Sequence, residues 1–171
     1  MLHNNKNNTL SRKSGFSLME LLVVVAIIGI LAMIVYANFN NARATARDEA
    51  RKVALKEMQL AIELYKAQEG RYPVAGCGAG TSFTATGCYP YIVGLTPDYI
   101  SELPRDPSGN PYRYRTNTNG SSYKLLTERV EADTVTEGSD FARCPSFTGC
   151  SGASSHARTY AVYGGPGSVN W

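Results

Sequence analysis

Residues 15–20 read GFSLME and open an apolar run that continues to Ala37. At about 1.5 Å of rise per residue, a helix from Phe16 to Ala37 is long enough to cross the roughly 30 Å hydrocarbon core of a bilayer. Its one charged residue is Glu20. A carboxylate inside a membrane span costs about 2.5 to 3.5 kcal/mol unless it is paired. The stretch therefore predicts a transmembrane helix whose Glu20 has a functional partner, and an amine is the obvious candidate.

The segment ahead of this helix, residues 1–15, is polar, Asn-rich and basic. It contains Lys6, Arg12 and Lys13 and no acidic residue. A basic flank before an apolar helix is typical of a targeting segment, and the positive-inside bias places such a flank in the cytoplasm. The same three residues account for the formal net charge of +3, so the remaining charges balance. Net charge therefore gives no support for binding to nucleic acid.

This arrangement resembles the N-terminal signal of the type IV pilin-like family, and in particular that of the major pseudopilins of type II secretion systems. The matching features are a basic leader that ends at Gly15, then Phe16, Glu20 and the apolar helix. The resemblance implies that a prepilin peptidase cleaves between Gly15 and Phe16 and methylates the new amine of Phe16. It also implies that Phe16 and Glu20 serve filament assembly. The carboxylate of one subunit and the amine of its neighbour would then neutralise each other inside an apolar filament core.

Two other interpretations of the N-terminus remain open from the sequence. An ordinary secretory signal peptide would be cleaved after residues 35–37, VYA, although it needs no glutamate at the head of its apolar run. The other is an uncleaved membrane anchor that carries a binding domain. The first residue of the mature chain distinguishes the three cases: Phe16 for the filament subunit, Asn38 for the secreted domain and Met1 for the anchor.

The helical pattern continues beyond Ala37 but changes character. In residues 38–69, charged side chains alternate with apolar ones that recur at spacings of three and four, which is the pattern of an amphipathic helix. The predicted core-facing residues are Leu55, Met58, Ile62 and Tyr65, with Val53, Leu60 and Leu64 widening the apolar arc. Gly70 and Pro73 supply the stop. One helix is thus predicted to have a transmembrane half, 16–37, and a second half, 38–69, that packs under a small domain.

Residues 70–171 are predicted to form that globular domain. Segments 112–115 and 123–127 alternate as strands do, and the turn dipeptide Asn119-Gly120 between them predicts a hairpin. Residues 158–163 predict a further strand. Helix and strands together predict an α+β fold, in which one long N-terminal helix packs against an antiparallel sheet of three or four strands. The predicted shared core contains Leu55, Ile62, Tyr65, Leu125 and Val162.

A turn-rich connection ahead of the hairpin extends the family resemblance. Residues 103–107 read LPRDP and residues 109–112 read GNPY. The domain of the major pseudopilins carries a similar Leu-Pro-x-Asp-Pro and Gly-x-Pro-Tyr before its first strand. The resemblance therefore implies a pilin-like fold for the globular domain, and it fades between residues 128 and 155.

The chain contains four cysteines, Cys77, Cys88, Cys144 and Cys150. Cysteines on an exported domain most often form disulfides. Of the three possible pairings, short sequence separation favours Cys77 with Cys88 and Cys144 with Cys150. A zinc site is disfavoured, because these separations differ from those of paired-cysteine knuckles.

An acidic segment follows the predicted hairpin, and its carboxylates are Glu128, Glu131, Asp133, Glu137 and Asp140. Closely spaced oxygen ligands suit Ca²⁺, and the family resemblance implies a calcium loop near the C-terminus. The loop motif of the family does not align here, and no Asp-x-Asp-x-Asp-Gly pattern occurs. A solvated acidic loop without a metal or cofactor is the favoured interpretation, and calcium binding is the alternative.

The residues that could carry catalysis are few. The two histidines are His3, in the leader, and His156, which stands in a Gly/Ser-rich segment with no supporting motif. We therefore predict that the protein is not an enzyme. The family resemblance implies a structural protein, a subunit of a type II secretion pseudopilus-like filament, anchored in the inner membrane with its globular domain on the periplasmic side. The predicted partners are further copies of the chain, a prepilin peptidase and an inner-membrane assembly platform. A type IV pilus subunit, acting in adhesion, motility or DNA uptake, is the alternative.

Overall fold

The computed structural model describes residues 15–77, 83–84, 87–127, 130–132, 134–136, 138–144 and 158–171. In chain order its elements are helix α1 (Leu18–Glu69) and strands β1 (Val74–Ala75), β2 (Ile92–Val93), β3 (Arg113–Thr116), β4 (Tyr123–Leu126) and β5 (Ala161–Gly164), followed by a 3-10 turn, Ser168–Asn170. The chain divides into two compact units, Met1–Asn40 and Asn41–Trp171.

The described part of the first unit, residues 15–40, contains the N-terminal part of helix α1. Its large apolar side chains are exposed all the way from Phe16 to Phe39. A helix that is apolar on every side needs an apolar environment, either a membrane or the core of an assembly. Within the described ranges, α1 is the one helix that is long and apolar enough to cross a membrane, judged by length and composition.

In the second unit, helix α1 ends where the sequence predicts. Gly70 adopts a φ of 75°, and its backbone N–H donates to the carbonyl of Lys66 at 2.9 Å. The left-handed backbone conformation at this position after the last helical turn favours glycine, because glycine has no Cβ that would clash with the following carbonyl. The chain then turns through Pro73 into strand β1, which returns it towards the sheet side of the molecule.

Strands β3, β4 and β5 form an antiparallel sheet in sequence order. Tyr114 lies opposite Leu125, and Leu125 lies opposite Val162. The predicted hairpin turn is confirmed, since Gly120 has a φ of 66° and its N–H donates to the carbonyl of Asn117 at 3.1 Å. The last strand begins later than the sequence predicts, because Tyr160 forms an isolated bridge with Ala142 instead of joining the sheet.

The sheet and one side of helix α1 share the hydrophobic core. Leu55, Ile62, Leu125 and Val162 are buried in a single cluster, and Tyr65 packs against it half-buried, as predicted. The prediction for three other helix residues is wrong: Val53, Leu60 and Leu64 are 66%, 63% and 48% exposed. Their positions in the 3.6-residue helical repeat place them on the side of α1 opposite Leu55 and Ile62. A single small sheet covers only one side of the helix.

Strands β1 and β2 form a second, two-stranded sheet that sequence analysis missed. Val74 pairs with Val93, and Ala75 pairs with Ile92. Strands of two residues are too short to show the alternation by which strands are recognised. The backbones beside the two strands approach so closely that a Cβ added at Gly76 would lie 1.8 Å from the carbonyl oxygen of Pro90.

A disulfide joins the ends of the segment beside this small sheet. Cys77 and Cys88 are bonded, with their Cα atoms 6.1 Å apart, so the first predicted pair is confirmed. Cys144 is also disulfide-bonded, and Cys150, its predicted partner, lies outside the described residues. Closing a short loop lowers the entropy of the unfolded chain. In the chain-entropy model this stabilises the folded state by about 2 to 3 kcal/mol.

Candidate functional site

The first turn of helix α1 brings Ser17 and Glu20 into contact. The Ser17 Oγ accepts a hydrogen bond from the backbone N–H of Met19 at 3.2 Å. The Glu20 Oε2 accepts one from the backbone N–H of Ser17 at 2.9 Å. This reciprocal pair is a capping box, which satisfies N–H groups that have no partner inside the helix. Glu20 therefore has a local structural role in addition to the one that the sequence predicts for it.

The two residues of the predicted cleavage site lie directly before this turn. Phe16 is 88% exposed, and a Cβ added at Gly15 would meet nothing within 4 Å. The peptide bond between them is thus accessible to a protease. Cleavage there would create an amine at Phe16, one helical turn from the Glu20 carboxylate.

A buried ion cluster joins helix α1 to two distant segments of the second unit. Arg51 is 1% exposed. Its Nε donates to Asp106 Oδ2 and its Nη1 to Asp48 Oδ1, both at 2.7 Å. Its Nη2 reaches Asp106 Oδ1 at 3.0 Å and Glu131 Oε1 at 2.7 Å. Arg47, one turn earlier on the helix, forms a second ion pair with Glu131.

Arg47, Arg51, Asp106 and Glu131 are charged at neutral pH. Hydrogen bonding to Asp106 raises the pKa of Arg51 above its usual value, against the opposing effect of burial. Burial alone would raise the pKa of Asp106, but the hydrogen bonds from Arg51 and Ser108 dominate and lower it. The hydrogen bonds from Arg47, and then from Arg51, lower the pKa of Glu131 to about 2. The carboxylates are therefore held as acceptors and are not free to act as acids or bases.

The cluster fastens the segment after strand β4 to the helix. Asp48 accepts the backbone N–H of Glu131 at 3.0 Å and that of Ala132 at 2.7 Å, in addition to its ion pair with Arg51. Sequence analysis did not identify this cluster, although it quoted Asp106 within LPRDP and counted Glu131 in the acidic segment. The available signal was the spacing of Asp48 and Arg51, which places both on one face of a helix.

A cleft of about 580 Å³ lies beside the cluster. Its lining consists of Arg51, Asp106, Ser108, Asn110, Pro111, Tyr112, Thr127 and Glu131. The hydroxyl of Tyr112 is buried, with no hydrogen-bond partner among the described residues. Within the lining, the Ser108 hydroxyl donates to Asp106 Oδ1 at 2.6 Å, and Asp106 is held in turn by the guanidinium of Arg51.

Within the described ranges, no group of three His, Cys, Asp or Glu side chains is arranged to hold a metal ion. Of the acidic residues considered for calcium, Glu131 is bound by the two arginines and Asp140 is exposed. The others, Glu128, Asp133 and Glu137, lie outside the described residues, as do His3 and His156. Calcium binding in that segment remains an untested alternative.

Lys124 is fully buried in strand β4. Its Nζ donates to the backbone carbonyls of Val169 at 3.0 Å and Trp171 at 2.9 Å. Burial, with a smaller effect from the charges of Arg143 and Arg115, lowers its pKa to about 7. Lys124 therefore ties the C-terminal segment to the sheet, and its charge changes near neutral pH.

We expect the folded protein to become more stable as the pH rises from about 7 towards 10. In this window the unfolded chain keeps the Lys124 proton, whose usual pKa is 10.5, while the folded chain releases it at a pKa of about 7. Urea unfolding of the full chain in detergent at about pH 7 and pH 9 measures the change. Lys124→Met should remove most of this pH dependence. An identical rise in the variant would contradict the assignment.

Comparisons with known proteins give a consistent result for both parts of the chain. Residues 10–36 match the profile of the prokaryotic N-terminal methylation motif, and residues 38–142 match the profile described as type II secretion system (T2SS), protein G. No solved structure gives a significant match.

Curated relatives share the name type II secretion system core protein G. The relative from Aeromonas hydrophila is 34% identical over 106 residues, which cover 60% of this chain and 72% of the relative. The one from Escherichia coli (strain K12) is 28% identical over 127 residues, covering 74% and 88%. The Pseudomonas aeruginosa relative is 34% identical over 104 residues, covering 60% and 73%.

The protein G profile covers more than half of the chain. It spans the second half of helix α1, strands β1 to β4 and every residue of the Arg51 cluster. The methylation motif covers the helix start that contains Phe16 and Glu20. The chain belongs to the type II secretion system protein G family.

Proposed function

We propose that this protein is a structural subunit of a type II secretion pseudopilus-like filament and acts through assembly rather than catalysis. One observation carries the proposal: the methylation motif at residues 10–36 runs directly into the protein G domain at residue 38. The exposed bond between Gly15 and Phe16 and the capped carboxylate of Glu20 lie inside that motif. Their placement supports cleavage followed by pairing between copies.

In this proposal the precursor is stored in the inner membrane. Residues 16–37 span the bilayer, the basic leader 1–15 stays in the cytoplasm, and residues 38–171 lie on the periplasmic side. A prepilin peptidase cleaves after Gly15 and methylates the amine of Phe16. An inner-membrane assembly platform then moves the subunit out of the bilayer, so that its apolar helix joins those of other copies.

The geometry of the helix start supports pairing between copies. A carboxylate has acceptor sites for several hydrogen bonds, so Glu20 can keep its bond to Ser17 and still accept an amine. The positive end of the helix dipole favours the Glu20 carboxylate in the first turn and disfavours the amine of the same chain. In this proposal, the amine of Phe16 is neutralised by the Glu20 of a neighbouring copy that is displaced along the helix axis.

Processing at the predicted site gives the first test. We expect mass spectrometry of the membrane-purified protein to find a chain that begins at Phe16 and carries one N-terminal methyl group. Gly15→Leu should block cleavage, because the side chain would stand at the scissile bond, and the precursor should accumulate. Gly29→Ala is the matched control, since its site is equally open, and it should be cleaved normally. A mature chain that begins at Met1 or Asn38 would contradict the proposal.

A further inference from the structure

The cleft beside the Arg51 cluster contains a hydrogen-bonding group that the fold leaves unused. Tyr112 lines this cleft and is 1% exposed, and its hydroxyl has no hydrogen-bond partner among the described residues. A buried hydroxyl usually has a partner, because leaving it unpaired is costly. The cleft measures about 580 Å³, within the roughly 300 to 1,000 Å³ that is typical of small-ligand sites. The unused hydroxyl therefore indicates a ligand-binding site.

Two other side chains of the lining keep free acceptor sites. The Ser108 Oγ donates its proton to Asp106, so its lone pairs can still accept. Among the described residues, Asp106 Oδ2 accepts only from Arg51 Nε, which leaves room for a further donor. The guanidinium of Arg51 is already bound to three carboxylates. The cleft therefore favours a ligand that brings hydrogen-bond donors.

The charges around the cleft favour a donor that is positively charged. The Arg51 cluster consists of two arginines and three acidic side chains, which are Asp48, Asp106 and Glu131. Burial, and after it the negative charge of Asp106, raise the pKa of the Tyr112 hydroxyl, while the positive charge of Arg51 lowers it by less. The local potential at this hydroxyl is therefore negative, and it attracts a cation.

We propose that this cleft binds a primary ammonium group, carried by a lysine side chain of another protein or by a free alkylamine. An ammonium has three N–H donors and no acceptor, which matches the acceptor oxygens of Tyr112, Ser108 and Asp106. Pro111 and the ring of Tyr112 supply apolar surface for the alkyl stem. The site does not depend on filament formation, because all of its residues lie in the second unit.

Calorimetric titration of the full-length chain with cadaverine, in detergent and an amine-free buffer, tests the site. We expect saturable binding of this diamine and no binding of pentanediol, which has the same stem without the charge. Tyr112→Phe should weaken cadaverine binding by about tenfold or more, because it removes a hydrogen bond to a charged group. Tyr99→Phe is the matched control and should bind as the wild type does, since its hydroxyl bonds Gln68 away from the cleft.

A variant that strengthens binding excludes misfolding as the cause of a loss. Asn110 is an exposed residue of the lining, and Asn110→Asp should tighten cadaverine binding by about threefold or more because it adds a negative charge. Asn119→Asp adds the same charge at an exposed turn outside the lining and should have little effect. The inference would be overturned by a lack of saturable binding, by equal binding of pentanediol, or by a Tyr112→Phe variant that binds as tightly as the wild type.

A capped peptide with one lysine between glycines distinguishes the two sources of the ammonium group. Tighter binding of the peptide than of cadaverine would support a lysine of another protein, and the reverse order would support a free alkylamine. Acetylation of the lysine removes its charge and should abolish binding of the peptide. Undiminished binding of the acetylated peptide would contradict recognition of an ammonium group.

Discussion

Glu20→Gln is expected to abolish filament formation while membrane insertion, cleavage after Gly15 and the start of helix α1 stay intact. Glutamine can accept the same hydrogen bond from the Ser17 N–H, so the capping box survives and only the charge is lost. An amine left without its carboxylate in an apolar core costs about 3 to 5 kcal/mol. Such a loss lowers the association constant for assembly by about two to four powers of ten, because each power of ten corresponds to about 1.4 kcal/mol.

Ser17→Ala is the matched control for this experiment. It removes the Oγ that accepts from Met19 but leaves the Glu20 carboxylate in place. Loss of a cap costs about 0.5 to 2 kcal/mol of helix stability, and we expect filaments to form. Electron microscopy of sheared filaments and mass spectrometry of the membrane fraction measure both steps. Normal filaments from Glu20→Gln would show that capping is the whole role of Glu20.

Arg51→Met is expected to destabilise the globular unit by about 3 to 5 kcal/mol. Methionine fills much of the same volume, but Asp48 and Asp106 would then be buried without their positive partner. Urea unfolding of the full chain in detergent measures the loss. Lys52→Met, on the next residue of the helix, is the matched control. Its ion pair with Glu49 joins side chains that are 23% and 62% exposed, and such partly exposed pairs contribute about 0 to 1 kcal/mol. Equal losses in the two variants would contradict a special role for Arg51.

The same cluster predicts an acid dependence of stability. The pKa of Glu131 is about 2 when folded and 4.5 when unfolded, and that of Asp106 is also lowered by folding. Because the unfolded chain binds these protons first, the stabilisation is complete above about pH 4.5 and is lost as the pH falls towards 2. Arg51→Met should weaken this dependence, which separates loss of the ion cluster from a general packing defect.

Local signals in the sequence account for much of the fold. Gly70 ends the helix and Gly120 stands in the hairpin turn, and each adopts a left-handed backbone conformation that few other residues adopt. The core stripe at Leu55 and Ile62 follows from helical periodicity. Such signals arise within a few residues of each other, so one sequence is enough to reveal them.

Features built from distant segments were not predictable in the same way. Arg51 meets Asp106 and Glu131 across separations of 55 and 80 residues, and nothing in the local sequence records those encounters. The exposed side of helix α1 was misassigned for a related reason. Periodicity shows that Val53, Leu60 and Leu64 lie on an apolar side of a helix, but it does not distinguish the chain's own core from the surface of another molecule.

Three of the four hydrogen bonds of Arg51 also fix where the segments of Asp106 and Glu131 lie along helix α1. A shift by one helical turn towards the C-terminus, about 5.4 Å, would move both carboxylates away from the guanidinium and place them against Leu55, an aliphatic residue. The ion cluster therefore opposes that shift. A polymer made of identical units keeps a constant repeat distance when every unit has the same dimensions. The buried arginine thus gives the second unit the same dimensions in every copy of the chain, from residues 41–69 of helix α1 to the sheet.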